Sequence, residues 1–265
     1  MNYRIAITPY LNNRPFIFHT VIDNCELVQQ SPRESVKALK EGYIQAGVIP
    51  VACLSELNDQ FELLGNFGIA SEGSVQSVLF LSQIPFEQFT STHTIKLTRE
   101  SMTSINLLGL LFGYQHGFDN LPRKARDEDD YDGELLIGDR ALERLQGGKD
   151  NYVMDLSSAW TRRQQLPFVF ARWVVNKSVS VKFCAELKQW LRSFVTNEAD
   201  LQQIAAEREA QQFRMTSEYA MNYLHGIKTT IGEREREGQA LFLAELQKYR
   251  PVFHESAKQL RKRCA

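Results

Sequence analysis

The sequence predicts an α/β protein of two lobes with a ligand cleft between them. Three observations carry this fold class. The first fifty residues alternate short apolar runs with helix signals in a βαβαβ order. A second set of apolar runs follows between residues 78 and 175, and the chain after Ser178 reads as helix. With 265 residues and 43% hydrophobic content, the chain can bury one large core or two moderate ones.

Taken in order, Arg4 to Thr8 reads as a short buried strand, followed by a turn and a helix near Arg14 to Val21. Glu26 to Gln29 is the next strand. Ser31, Pro32 and Glu34 form a compact helix start: serine at the cap, proline at the first helical position, glutamate three residues after the cap. That helix turns Val36 and Leu39 inward and stops near Gly42. Ala46 to Pro50 is almost wholly apolar, as expected of a strand covered on both faces. This order predicts parallel pairing with right-handed crossovers.

Val78-Leu79-Phe80-Leu81 reads as a strand leaving the first sheet, and Ile95 to Leu97 as the start of a second. Ser101 opens an apolar helix running through Leu111. Leu135 to Ile137 is a buried strand, Asp139 to Leu145 a helix, and Val153-Met154 and Phe168 to Val175 further strands. Helices follow near Lys182–Phe194, Asp200–Ala210, Ser217–His225 and Glu233–Tyr249. The charged run Glu233-Arg234-Glu235-Arg236 reads as a solvent face, and the acidic stretch from Asp127 to Asp132 as a surface loop. Crossings near Ile84 and Val174 divide the chain into a discontinuous first lobe, 1–84 with 175–265, and a second lobe, 85–174. The ligand is expected where strand ends and helix N-termini converge.

Net charge is −1, which argues against nucleic acid or a membrane surface as partner. The basic tail from Lys258 to Arg263 reads as a solvated helix end. No apolar run approaches the roughly 20 residues that span a bilayer. Cys25, Cys53, Cys184 and Cys264 show no C-x-x-C spacing, and His19, His93, His116, His225 and His254 are scattered, so no metal site is expected. The N-terminal run lacks the segments of a secretory signal, and the expectation is a cytoplasmic protein with reduced thiols.

The candidate functional residues are small, polar and uncharged. Asn12, Ser77, Ser101, Thr103 and Ser104 fall where backbone meets helix. Main-chain N–H groups at such a junction bind anions without lysine or arginine, which points to a small carboxylate-bearing ligand. Each has a plainer reading as well: Ser101 as an N-cap, Thr103 and Ser104 as ordinary first-turn residues, and Asn12 as a turn or cap asparagine.

Six blocks resemble a known family in order and spacing. Tyr10-Leu11-Asn12-Asn13-Arg14-Pro15-Phe16, Ser71-Glu72-Gly73-Ser74-Val75-Gln76-Ser77-Val78 and Leu97-Thr98-Arg99-Glu100-Ser101-Met102-Thr103-Ser104 are the first three. Leu135-Leu136-Ile137-Gly138-Asp139-Arg140-Ala141-Leu142, Asp155-Leu156 with Trp160, and Leu166-Pro167-Phe168-Val169-Phe170-Ala171 with Trp173 complete them. Together they resemble the chorismate dehydratase family of the futalosine route to menaquinone. The segment Glu235-Arg236-Glu237-Gly238 is similar to that family's closing helix, so the resemblance covers nearly the whole chain. Gln45, Ser74 and Gln164-Gln165 depart from the family's Asp, Pro and Thr-Gly. A lost glycine beside the cleft is expected to alter the local backbone, because glycine takes positive φ at little cost.

The resemblance implies a two-lobed fold like that of the periplasmic solute-binding proteins (type II). It also implies a cofactor-independent lyase that removes water from chorismate, a dicarboxylate. Asn12 and Ser77 are the implied catalytic residues. Ser101, Thr103, Ser104, Gly138, Asp139, Pro167 and Val169 are the implied substrate contacts, with Asp139 expected to cap its helix. None of the matched blocks carries a histidine, so a substrate carboxylate is the candidate proton acceptor. A cytoplasmic binding or sensing protein for a small carboxylate is the alternative.

Overall fold

The opening apolar runs pair as parallel strands. The computed structural model describes residues 2–20, 22–57, 59–126 and 130–255. In it β1 (Tyr3–Ile7) is followed by a 3-10 turn at Leu11–Asn13, the short helix α1 (Arg14–Ile17) and β2 (Cys25–Gln29). Next come α2 (Pro32–Lys40), β3 (Ala46–Pro50) and a 3-10 segment over Val51–Glu56. Strand β1 pairs in parallel with both β2 and β3. The start of α2 is a complete capping box: Ser31 Oγ accepts from the Glu34 N–H, and a Glu34 carboxylate oxygen accepts from the Ser31 N–H at 3.0 Å.

The chain continues through β4 (Phe61–Ser71), β5 (Val78–Ser82), β6 (Thr94–Lys96), α3 (Met102–His116), β7 (Arg123–Lys124), β8 (Gly133–Ile137) and α4 (Asp139–Gly147). It then forms β9 (Tyr152–Asp155), α5 (Leu156–Gln164), β10 (Phe168–Asn176), α6 (Val181–Thr196), α7 (Glu198–Glu209), α8 (Ser217–His225), β11 (Lys228–Thr230) and α9 (Glu233–Tyr249). One sheet has the order β11-β4-β10-β3-β1-β2, the other β7-β6-β8-β5-β9.

Strand β5 does not leave the first sheet; it lies inside the second, antiparallel to β8 and β9. All five of its residues are buried, and a strand apolar on both faces carries no periodicity to say which sheet it joins. The first passage between the sheets therefore runs through residues 72–77, ahead of Ile84. The return runs through 165–167, ahead of Val174, because β10 belongs to the first sheet from its start at Phe168. The long strand β4 and the helix α5 went unread in the sequence. Strand β11 interrupts the expected all-helical tail, and α1 ends at Ile17. The end of that predicted helix at Val21, the head of the acidic loop, the basic tail and Cys264 lie outside the described residues.

Two large apolar clusters hold the sheets. Phe80, Phe89, Phe112, Trp160, Phe168 and Phe242 belong to one that reaches from the second sheet to α9. Ile5, Ile7, Phe16, Trp173, Trp190 and Phe194 belong to the other, between the first sheet and α6, with Phe16 and Phe194 stacked at 3.8 Å. Trp160 is fully buried, with Phe168 and Phe242 in edge contact, and is a core residue.

Candidate active site

A cavity with an empty volume, mouth included, of about 590 Å³ opens between the sheets. Thr8, Tyr10 and Asn12 enter it just after β1, and Pro50 at the end of β3. Val75 and Ser77 come from the first passage, Val78 from the start of β5, Ser101 and Ser104 from the head of α3, and Ile137 and Gly138 from the end of β8. Phe170 and Ala171 of β10 and Tyr223 of α8 close the wall. Strand ends and a helix start converge here, where a crevice in such sheets takes its ligand. No Asp, Glu, Lys, Arg or His side chain is among the described lining residues.

Of the predicted residues, Asn12, Ser77, Ser101, Ser104 and Gly138 are brought together at the cavity. Thr103, Asp139, Pro167 and Val169 are not. The Thr103 hydroxyl is buried and accepts from the Ala52 N–H at 3.1 Å, tying α3 to the 3-10 segment after β3. Pro167 turns toward α9, where its carbonyl faces Gly238. Val169 is buried in the apolar core. Simple alternation predicts that Ala171 and Phe170 face opposite ways, yet both line the cavity. The cause is a register shift between Val169 and Ala171 in the pairing of β10 with β4, since a bulge breaks the two-residue period.

Asp139 does not cap its helix. The N-cap is Gly138, at φ 64 and ψ −146, and Asp139 follows it as the first helical residue. Its carboxylate instead accepts the Leu11 N–H at 2.9 Å, linking the loop after β1 to the second sheet. Burial pushes its pKa up to about 6, against the opposing pull of the Leu11 N–H and Arg14. Tyr10 makes a second link, its hydroxyl donating to the Glu100 carboxylate while its ring lies against Gly138. A Cβ at Gly138 would meet the Tyr10 ring at 2.7 Å.

Ser77 owes its position to Asp155. One oxygen of this carboxylate accepts from Ser74 Oγ at 2.9 Å, the Val75 N–H at 2.9 Å and the Gln76 N–H at 2.7 Å. The other oxygen accepts the Ser158 N–H and so caps α5. Gln76 is held at φ 60, and the Ser77 carbonyl accepts the Gly138 N–H at 2.8 Å. Ser101 is both a cap and a wall residue: its Oγ accepts the Ser104 N–H at 3.2 Å while lining the cavity. The N–H groups of Met102 and Thr103, in the first turn of α3, have no intrahelical acceptor.

Gln45, Ser74 and Gln165, which depart from the family pattern, have defined partners in this structure. Gln165 takes a left-handed φ of 57 and donates its N–H to Thr161. Gln45 accepts from the Arg4 N–H, and Ser74 joins the Asp155 cluster.

Thr8, Tyr10, Phe170 and Tyr223 were missed as wall residues. Tyr10 stands two residues before Asn12 in the same family-like block, which signals it. Tyr223 lies 146 positions from Ser77, to which it donates at 3.1 Å, and no local pattern announces that contact. Burial pushes the Tyr223 phenol well above its ordinary value, so it stays protonated. Among the described residues no His/Cys/Asp/Glu cluster is suited to a metal ion, and no helix is long and apolar enough to cross a membrane.

Comparison with known proteins agrees with this fold. A protein from Archaeoglobus fulgidus superimposes with a TM-score of 0.69 at 14% identity, over 95% of this chain and 98% of that one. The periplasmic aliphatic sulphonate binding protein of Escherichia coli gives 0.66 at 12% identity, over 96% and 95%. At such identities the likeness establishes the fold alone, which is that of the periplasmic binding proteins. A chorismate dehydratase from Thermus thermophilus is 26% identical over 95% of this chain and 98% of its own length. The family model for menaquinone biosynthesis matches residues 3–248, nearly the full described chain, and the protein is a member of that family.

Proposed function

We propose that the protein is a chorismate dehydratase that eliminates water from chorismate to give 3-[(1-carboxyvinyl)oxy]benzoate in the futalosine route to menaquinone. The observation that carries this reading is the uncharged cavity. Asn12, Ser77, Ser101, Ser104 and Gly138, from four of the family-like blocks, meet there beside the open N-terminus of α3. An α-helix N-terminus with free N–H groups favours a carboxylate, and Ser77 and Asn12 of the same cavity are offered to the rest of the ligand.

The proton leaves the ring carbon that bears the ether, and the hydroxyl on the neighbouring carbon departs as water. Atoms and electrons balance without a redox partner, and the new aromatic ring supplies driving force. The protein's task is orientation and stabilisation of developing charge. Asn12 donates toward the departing hydroxyl, Ser77 holds one carboxylate, and the head of α3 with Ser101 and Ser104 holds the other. A substrate carboxylate takes the proton, which suits a wall without an ionised side chain.

The same lack of a protein base favours one other reading, a binding protein for a small carboxylate. Incubation of the purified protein with chorismate, followed by chromatography and mass spectrometry, separates the two. Loss of one water with a new aromatic absorbance supports the lyase. Unchanged chorismate with a raised thermal midpoint selects the binding protein.

A further inference from the structure

Three polar groups of the wall, Ser77, Thr8 and Asn12, share a feature that their identities alone do not require. Each accepts a hydrogen bond from a buried neighbouring side chain. Tyr223 Oη donates to Ser77 Oγ at 3.1 Å. Asn13 Nδ2 donates to Thr8 Oγ1 at 2.6 Å and to Asn12 Oδ1 at 3.1 Å. Tyr223 and Asn13 are both buried, and Asn13 is fully so. Among the described residues, Ser77 Oγ, Thr8 Oγ1 and Asn12 Nδ2 donate to no protein acceptor. A hydroxyl carries one proton, so an oxygen that accepts from one neighbour leaves its own proton free for another partner.

We infer that Tyr223 and Asn13 are positioning residues that set the hydrogen-bond polarity of the cavity, making Ser77, Thr8 and Asn12 donors toward the ligand. A cavity that presents donors and no cation selects an anion, and here the selection resides in proton orientation rather than in charge. Tyr223 suits the role because its buried phenol keeps its proton and cannot reverse the bond. Asn13 suits it because one amide nitrogen carries two protons and serves two neighbours at once. The inference deepens the dehydratase reading and rests on it for the identity of the anion.

The test is a double-mutant cycle on chorismate turnover with Tyr223→Phe, Ser77→Ala and the pair. Tyr223→Phe keeps the ring and removes only the donor. The expected result is a fall in kcat/KM of about tenfold with Ser77 present. With Ser77→Ala already in place, the fall should be no more than about twofold. An equal loss in both backgrounds, or none in either, overturns the inference, because a packing role does not depend on the Ser77 hydroxyl. Neutron diffraction of the deuterium-exchanged wild-type protein reads the same point without substrate or mutation. A deuteron on Tyr223 Oη between the two oxygens, with the Ser77 deuteron toward the cavity, is expected; a Ser77 deuteron aimed at Tyr223 overturns the inference. If wild type leaves chorismate unchanged, the dehydratase reading fails, while the deuteron positions still decide the polarity.

Discussion

In the proposed reading Asn12 and Ser77 meet the ligand as dipoles, so their contribution depends on a well-placed proton rather than on net charge. Removing one such preorganised donor slows turnover by about a hundredfold where it meets charge that develops in the transition state. Asn12→Ala and Ser77→Ala should each lower kcat by about that factor in steady-state assays with chorismate, and unaltered turnover in both would remove them from the site. Asp139 offers a pH test. Its pKa of about 6 means that between about pH 4 and 6 the folded chain keeps a proton that the unfolded chain has released. Stability from this group is therefore lost as pH rises through that window. Asp139→Asn still offers an acceptor to the Leu11 N–H and cannot ionise. Its thermal midpoint should exceed that of wild type at pH 8 and match it at pH 4; an excess that persists at pH 4 would refute the charge argument. The identity of the small polar residues was legible in the sequence, and five of the nine singled out reach the cavity. Thr103, Asp139, Pro167 and Val169 had equally good local credentials, and tertiary partners claimed them instead.

Elements were readable where one residue pattern admits one structure. The Ser31, Pro32 and Glu34 signature predicted α2, and Ala46 to Pro50 was read as β3 with the bounds observed. Strand β4 was not, because Gly65 at φ 54 and irregular pairing with β10 break its alternation. The closing helix shows how a single atom sets where an element sits. A Cβ at Gly238 would lie 2.1 Å from the Pro167 carbonyl oxygen, a backbone atom that has no rotamer by which to yield. Gly238→Ala should therefore push α9 off the entrance to β10 and cost about 1–3 kcal/mol in urea denaturation. An unchanged midpoint would mean that α9 does not seat there.

At the scale of the molecule, the contacts that link the two sheets include Tyr10 to Glu100 and the Leu11 N–H to Asp139. A ligand bound between the sheets stabilises both at once, because it binds the folded chain and not the unfolded one. At a free concentration one hundred times its Kd, the gain is about 2.7 kcal/mol. The aromatic product, which is not consumed, should raise the thermal midpoint of wild type, and Ser77→Ala should diminish that rise. No shift in wild type would exclude the cavity as its binding site.

What the sequence determined by itself was the kind of fold, and it raised the expectation of a small carboxylate ligand. Alternating strand and helix signals require a layered α/β arrangement, and uncharged polar residues at helix starts suit an anion whatever the details of packing. The tertiary structure decided membership and orientation. It assigned β5 to the second sheet, turned Phe170 and Ala171 to the same cavity, and set Tyr223 behind Ser77. These are non-local choices: a strand apolar on both faces pairs with whichever partner the rest of the chain presents, a bulge depends on the neighbouring strand's register, and a hydroxyl points where a donor 146 residues away allows.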